Sequence, residues 1–218
     1  MPKEPVVRYD VLLWLAGDDA ALLKYKMGVN LYVDMARFIY NNDKLDKKND
    51  PKEYAVGKAA ILGCGYGMGA VKFHATCVAW GIDIPTEVAE AAIQAYRKKY
   101  RRVVEFWYAA EKAARLAIRT PGTSHPCANG RVVYRMDSGA RRFLVCVLPS
   151  GREIRYYRPR LKAVEGVFGE KEEIVYEAAG VNGGGALEEC KTYGGSLVEN
   201  IVQEPLLGRL EQRVRASG

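Results

Sequence analysis

One short segment of the chain, GKAAILGCGYGMGAVKF from Gly57 to Phe73, combines a lysine and a tyrosine with closely spaced glycines. Glycine-rich segments of this kind cradle phosphates in P-loops and in dinucleotide-binding folds. Lys58, Leu62 and Tyr66 recur at intervals of four residues, so a helix would place them on one face. The question is therefore whether this segment binds a phosphate-bearing ligand or only forms a tight helix end.

Both common phosphate-binding loops require a preceding strand. A Walker loop has the pattern GxxxxGK[ST] after a strand, and no lysine follows these glycines in that frame. A dinucleotide fingerprint also follows a strand and opens a helix, whereas these glycines close one. The residues alone therefore favour a glycine-rich helix end that packs against a neighbouring helix.

The helix that leads into this segment has the clearest start signal in the chain. Asp50 suits the N-cap, Pro51 the first helical position and Glu53 the capping-box position. We expect a helix from about Pro51 to Tyr66, with Lys58 facing outward and residues 59–61, Ala-Ala-Ile, mostly inward.

The remaining sequence divides into a helical part and a strand-rich part. Short helices end at Gly17 and begin after Asp18, and a long helix is predicted from a cap at Thr86 to about Thr120. Later segments alternate as a β-meander, followed by the strand EEIVYEAAG, the loop NGGGALEECKTYGG and a last helix interrupted at Pro205. This pattern predicts an α+β, mainly helical fold, with a helical region over 1–122 and a β-hairpin region with a C-terminal helix over 123–218.

Composition limits the function classes. Net charge is +7, from 33 basic and 26 acidic residues, so a polyanionic partner is plausible beside the alternative of a merely basic surface. Five cysteines without a CxxC pair argue against zinc and disulfides and fit the cytoplasm. No apolar run reaches the roughly 18 residues of a membrane span. The basic cluster YRKKYRRVVEFWY is either a solvated helix face or a surface that follows phosphates.

The glycine-rich segment resembles the fingers helix of family A (polymerase I-like) DNA polymerases, and more specifically their phage-type branch. In that family R-x3-K-x3-F-x3-Y-G lies on one helix, and Lys58, Tyr66 and Gly67 stand at matching spacings. Leu62 occupies the aromatic position and Tyr54 the arginine position. Three further segments resemble the family in the same order: VLLWLAGDDAALLKYKMGVNLYVDMARFIYN, VCVLPSGREIRYYRPRL and KTYGGSLVENIVQ.

This resemblance implies a fingers-like helical bundle with part of a palm, whose partners are primer–template DNA and dNTPs. Lys58 would be the catalytic residue, since it would neutralise triphosphate charge and protonate the leaving pyrophosphate. Leu62, Tyr66 and Gly67 would complete the nucleotide and template site, with Tyr66 stacked at the templating position unless it is a core aromatic. The expected DNA contacts are Lys72, Arg97, Lys98, Arg101, Arg102, Asn200 and Gln203.

The family's nucleotidyl transfer uses magnesium held by two aspartates, one in D-Y-S-x-I-E and one in H-D-E. The resemblance places Lys3 at the first aspartate and Arg8 at the following glutamate, and no H-D-E occurs. We therefore expect no metal site or cofactor in this chain, although the intact family needs magnesium. The expectation is a DNA-directed DNA polymerase-like replication protein that is inactive alone and lacks a palm or thumb segment. The alternatives are a non-catalytic DNA-binding module and an inert polymerase fragment.

Overall fold

The computed structural model describes residues 8–137, 139, 142–166, 169–180 and 186–204. The chain forms two compact units that divide between Glu105 and Phe106. We call them the helical unit and the sheet unit. The change from helices to strands lies near the boundary expected at residue 122, whereas the compact units separate inside the last helix before that change.

The helical unit contains six helices and the start of a seventh. They are α1 (Tyr9–Ala16), α2 (Asp19–Lys26), α3 (Leu31–Tyr40), α4 (Pro51–Cys64), α5 (Ala70–Ala79) and α6 (Thr86–Lys99), followed by α7 (Arg101–Arg119). Gly17 ends α1 in the left-handed region, at φ 69°, and the Asp18 carboxylate accepts the Ala21 amide at 3.1 Å. The predicted helix boundary at residues 17–18 is confirmed.

A cluster of tyrosines forms the centre of the helical unit. Tyr9, Tyr96 and Tyr100 are buried, and the hydroxyls of Tyr9 and Tyr96 are hydrogen-bonded at 2.7 Å. The ring of Tyr100 stands edge-on to that of Tyr9, with centroids 5.6 Å apart. Burial raises the pKa of all three phenols well above the usual value, so they remain neutral.

Helices α3 and α4 approach each other closely at Gly57. A Cβ added there would overlap the Tyr32 carbonyl oxygen and lie 2.8 Å from the Ala36 Cβ. Real side chains do not tolerate such contacts, so only glycine permits this distance between the two backbones. The first glycine of the segment therefore serves helix packing.

Two predicted helix starts are correct in position, and their capping differs from the prediction. Helix α4 begins at Pro51 with Asp50 at the N-cap position, as predicted, but the Asp50 carboxylate accepts the Asp46 amide at 3.0 Å and makes no capping hydrogen bond. It ends at Cys64 and not at Tyr66. Helix α6 begins at Thr86, with Pro85 and not Thr86 in the cap position.

The predicted long helix from Thr86 to about Thr120 is also wrong, because it consists of two helices. Tyr100 breaks it, with φ −107° and ψ 47°. Its side chain is only 1% exposed and packs against Tyr9 and Tyr96. The Tyr100 ring is buried at the point where the backbone leaves the helical conformation, and a new helix, α7, begins at Arg101.

The sheet unit is an antiparallel meander followed by a helix. Its strands are β1 (His125–Cys127), β2 (Val132–Met136), β3 (Phe143–Val147), β4 (Glu153–Gly166), β5 (Gly169–Ala179) and β6 (Leu187–Thr192), and they pair in sequence order. A short 3-10 turn joins β1 and β2. Residues 194–204 are helical and are called α8. The predicted α+β class and β-meander are confirmed.

Helix α7 packs on the sheet and on the start of α8. The Arg115 guanidinium donates to the Glu172 carbonyl of β5 at 2.8 Å, and the Gly194 amide donates to the Glu111 carboxylate at 2.9 Å. A Cβ on Gly194 would overlap the backbone of Trp107, so this glycine permits another close approach. The sheet's buried side includes Tyr134, paired with Cys146, and Tyr156, paired with Leu144.

One predicted loop is wrong and one prediction lies outside the described residues. The segment NGGGALEECKTYGG contains strand β6, which pairs with β5 from Leu187 to Thr192. Most residues of β6 are exposed, and three of its six residues are charged. The segment therefore lacks the alternation of apolar and polar residues that predicts a strand. The interruption expected at Pro205 lies outside the described residues.

Candidate functional site

The face of α4 carries the first candidate residues. Ala59, Ala60 and Ile61 are buried, as predicted, while Lys58 and Leu62 are half-buried. Lys58 is therefore neither enclosed in the core nor fully exposed. Because Lys58 and Leu62 are four residues apart on a regular helix, their side chains follow one another along the same face.

Tyr66 and Gly67 lie beyond the helix, which corrects the prediction of one continuous helical face. The turn after α4 begins at Gly65, and Gly67 has φ 81°, a conformation that favours glycine. A Cβ on Gly65 would lie 3.2 Å from the Leu12 side chain and 3.6 Å from the Tyr96 hydroxyl. Tyr66 is half-buried in this turn. The glycines thus fit the interpretation from residues alone, a helix end packed closely against its neighbours.

An open cavity of about 440 Å³ borders α4 within the helical unit. Its lining residues are Tyr9, Tyr25, Gly28, Val29, Asn30, Leu31, Tyr32, Tyr54, Ile61 and Leu62. A cavity with several aromatic walls and some polar groups suits a flat, partly apolar ligand such as a nucleobase. Sequence reasoning missed this cavity, because its walls come from separate helices and the connections between them.

Tyr54 connects the cavity to a cationic side chain. Its ring stands at 69° to that of Tyr32, with centroids 6.1 Å apart. The Lys47 ammonium lies 5.2 Å from the centroid of the Tyr54 ring. Tyr54 thus contributes an aromatic wall, and a lysine from the preceding connection lies beside it.

The predicted DNA-contact residues of the helical unit have different surroundings. Lys72 on α5 and Arg97 and Lys98 in the last turn of α6 are exposed, and within the described ranges they form no ion pair. Burial raises the pKa of the Cys64 thiol to about 12, and the positive charge of Arg97 partly opposes this increase. Because Cys64 is the last residue of α4, Arg97 lies near the end of that helix. Lys99 instead pairs with Asp34 at 2.9 Å.

The other basic pair in this region is partly neutralised. Arg101 and Arg102 are exposed on the first turn of α7 and share the carboxylate of Glu105, at 2.9 and 3.2 Å. Exposed pairs of this kind are weak and exchange with other anions, so both guanidinium groups remain accessible.

Asn200 and Gln203 belong to the sheet unit and make local hydrogen bonds. The Asn200 amide donates to the Tyr156 hydroxyl at 3.0 Å, and the Gln203 amide donates to the Glu199 carboxylate at 3.1 Å. Asn200 is half-buried and Gln203 is exposed on α8. The hydrogen bond to Tyr156 thus gives Asn200 a structural role, in addition to the DNA contact predicted for it.

The positions that the resemblance compares with metal-binding carboxylates carry basic residues. Arg8 lies 3.5 Å from Asp10, so its charge is paired locally. Lys3 lies outside the described residues. Among the residues that are described, no three acidic, histidine or cysteine side chains converge into a set that could hold a metal ion. These residues do not fit a two-magnesium centre.

Comparison with known proteins indicates a relationship to DNA polymerases. The chain is 30% identical over 197 residues, 88% of its length, to a protein of Bacillus phage SP02 named "DNA polymerase". The matched region is 28% of that phage protein, so the chain spans less than a third of its relative. No known protein family has a sequence profile that matches the chain. The described residues include no helix that is long and apolar enough to cross a membrane.

Proposed function

We propose that this chain is a DNA polymerase-like protein whose helical unit corresponds to the nucleotide- and template-binding fingers of family A polymerases. The similarity to the phage DNA polymerase over 197 residues is the observation that carries this proposal. The proposed partners are primer–template DNA and deoxynucleoside triphosphates. The proposed biological setting is DNA-templated DNA synthesis in replication, where the complete family activity is nucleotidyl transfer.

The geometry around α4 supports the nucleotide-binding part. Leu62 and Tyr54 line an open aromatic cavity, and Lys58 lies one turn from each of them on the same helix. A base and sugar could occupy the cavity while Lys58 faces the phosphates. In this arrangement Lys58 would stabilise the negative charge that develops on the leaving pyrophosphate and could donate a proton to it.

The exposed cations support the DNA-binding part. Lys72, Arg97 and Lys98 have no ion-pair partner in the part of the chain that the structure describes, and Arg97 lies near the end of α4. Unpaired surface cations attract phosphates without regard to sequence. The same observation favours the second candidate function, a DNA-binding module without catalysis. Tyr66 and Gly67, in the turn after α4, are the proposed template contacts.

We propose further that this chain alone does not catalyse nucleotidyl transfer. Two magnesium ions need carboxylates beside the triphosphate, and Lys3 and Arg8 stand where the family resemblance would have acids. A cation at either position repels the metal. Magnesium would therefore be bound by residues outside the described set in a complete polymerase.

A primer-extension assay combined with nucleotide titration tests this proposal. The purified chain should bind dATP in the presence of primer–template DNA and give no extension product with magnesium. Lys58→Ala should abolish the nucleotide binding, whereas Lys52→Ala, an exposed change on the same helix, should leave it intact. Extension that is lost with EDTA and with Lys58→Ala would disprove the inactivity. Absence of both nucleotide and DNA binding would leave an inert fragment.

A further inference from the structure

We infer that Lys47, in the connection between α3 and α4, is a phosphate-binding residue of the aromatic cavity and selects nucleotides with a polyphosphate. This inference rests on the proposed nucleotide site and adds a residue to it. The observation is the position of the Lys47 ammonium, 5.2 Å from the centroid of the Tyr54 ring, which forms part of the cavity wall.

The connection that carries Lys47 is held in place on both sides. Leu45 is 1% exposed, and its carbonyl accepts the Arg37 guanidinium of α3 at 2.8 Å. The Asp46 carboxylate accepts the amides of Lys48 and Asn49 at 2.7 and 2.9 Å. The backbone around Lys47 is therefore fixed before any ligand arrives, which lowers the entropy cost of binding through its side chain.

The acids next to Lys47 are occupied by other donors. Asp46 accepts from Asn49 and Lys48, and these hydrogen bonds hold the pKa of its carboxyl below the usual value. Asp50 accepts the Asp46 amide. Lys47 forms no ion pair within the described residues, and its recorded partner is the Tyr54 ring. A cation–π contact at an exposed site is weak, so a phosphate can replace it.

Two cations flank Tyr54 from different elements. Lys47 precedes α4, and Lys58 follows Tyr54 by one helical turn. A ligand with a single phosphate engages one such cation at a time, while a chain of phosphates can reach two. The arrangement therefore favours a nucleoside triphosphate over a monophosphate.

The test is an equilibrium titration of the full chain with dATP and with dAMP, in magnesium-free buffer so that the phosphates keep their charge. Lys47→Ala should weaken dATP binding by about 5- to 10-fold, the net size of one typical hydrogen bond, and change dAMP binding by less than about twofold. Lys47→Arg should retain most of the affinity.

Lys44→Ala provides the matched control, because Lys44 is exposed in the same connection and contacts no aromatic ring among the described residues. It should leave dATP binding unchanged. If Lys47→Ala binds dATP normally while Lys58→Ala does not, the inference about Lys47 is wrong and the nucleotide site stands. If Lys47→Ala weakens dATP and dAMP equally, the polyphosphate selection is wrong. If the unmodified chain binds no dATP at all, both the inference and the nucleotide site are overturned.

Discussion

Several charged side chains of the sheet unit pair with partners on other strands, whereas several cations of the helical unit form no ion pair among the described residues. Arg160 of β4 lies 2.5 Å from Glu189 of β6 and 3.7 Å from Glu177 of β5, and Lys162 also contacts Glu189 at 2.7 Å. In the helical unit, Arg97 and Lys98 form no ion pair among the described residues.

This difference shows why a net charge of +7 does not by itself locate a binding surface. Ion pairs between strands engage the positive side chains that take part in them, so the charge of these side chains is already partly neutralised. Cations without partners keep their charge available for an external anion. The part of the chain that should respond to DNA is therefore the helical unit.

The largest expected effect comes from Gly57→Ala, because the helical unit depends on close contact between the backbones of α3 and α4. The added Cβ would collide with Tyr32 and Ala36, and overpacking of this kind typically costs about 1–3 kcal/mol of unfolding free energy. Hydrogen exchange should accelerate in α3 and α4 and stay unchanged in β2 and β3.

Gly69→Ala is the control for that change, since a Cβ there meets no atom within 4 Å. It should alter stability by less than about 0.5 kcal/mol. Equal acceleration of exchange in both units after Gly57→Ala would show that the units do not respond separately.

The next effect is on DNA affinity and tests the charge comparison directly. Replacing Arg97 and Lys98 with glutamine should lower the slope of log affinity against log salt by about 0.9 for each lost duplex phosphate contact. The matched change in the sheet unit replaces Arg160 and Lys162, whose charges are already paired. Fluorescence anisotropy over a range of salt concentrations measures both. A larger loss for the sheet variant would reverse the comparison.

The smallest expected effect concerns a partly buried hydrogen bond of the sheet unit. Tyr156→Phe removes the hydroxyl that accepts the Asn200 amide and should cost about 1 kcal/mol in a urea unfolding experiment. Tyr157→Phe on the same strand is the control, because the Tyr157 ring packs against Phe143 and its hydroxyl makes no hydrogen bond within the described ranges. Equal costs for the two variants would show that the Asn200 bond adds nothing to the stability of this unit.

Local signals in the sequence were sufficient for much of the fold. Glycine at 17, aspartate at 18 and proline at 51 act through backbone conformation and nearby amides, so they mark helix ends without tertiary information. The break at Tyr100 was not predictable, because the residues on both sides follow a helical pattern. What distinguishes Tyr100 is its burial against Tyr9, a contact between distant parts of the chain.

The candidate site shows the same division between local and distant information. The spacing of Lys58 and Leu62 along α4 follows from the helix, and the structure has both on that helix. The cavity beside them could not be derived, because Tyr25, Tyr32 and Tyr54 meet only through the packing of separate segments. Lys47 carried no sequence signal either, since its importance depends on the ring it contacts.

The strand order of the sheet unit has a consequence for how this part of the chain folds. Each strand pairs with the one before it in sequence, so every hairpin closes a short loop and needs little ordering of distant segments. These hairpins can form one after another as the polypeptide is synthesised. The bond between Glu111 and Gly194 is different, because it spans 83 residues. That contact can form only after the whole meander has been made, which gives the unit a late closing step that depends on Gly194.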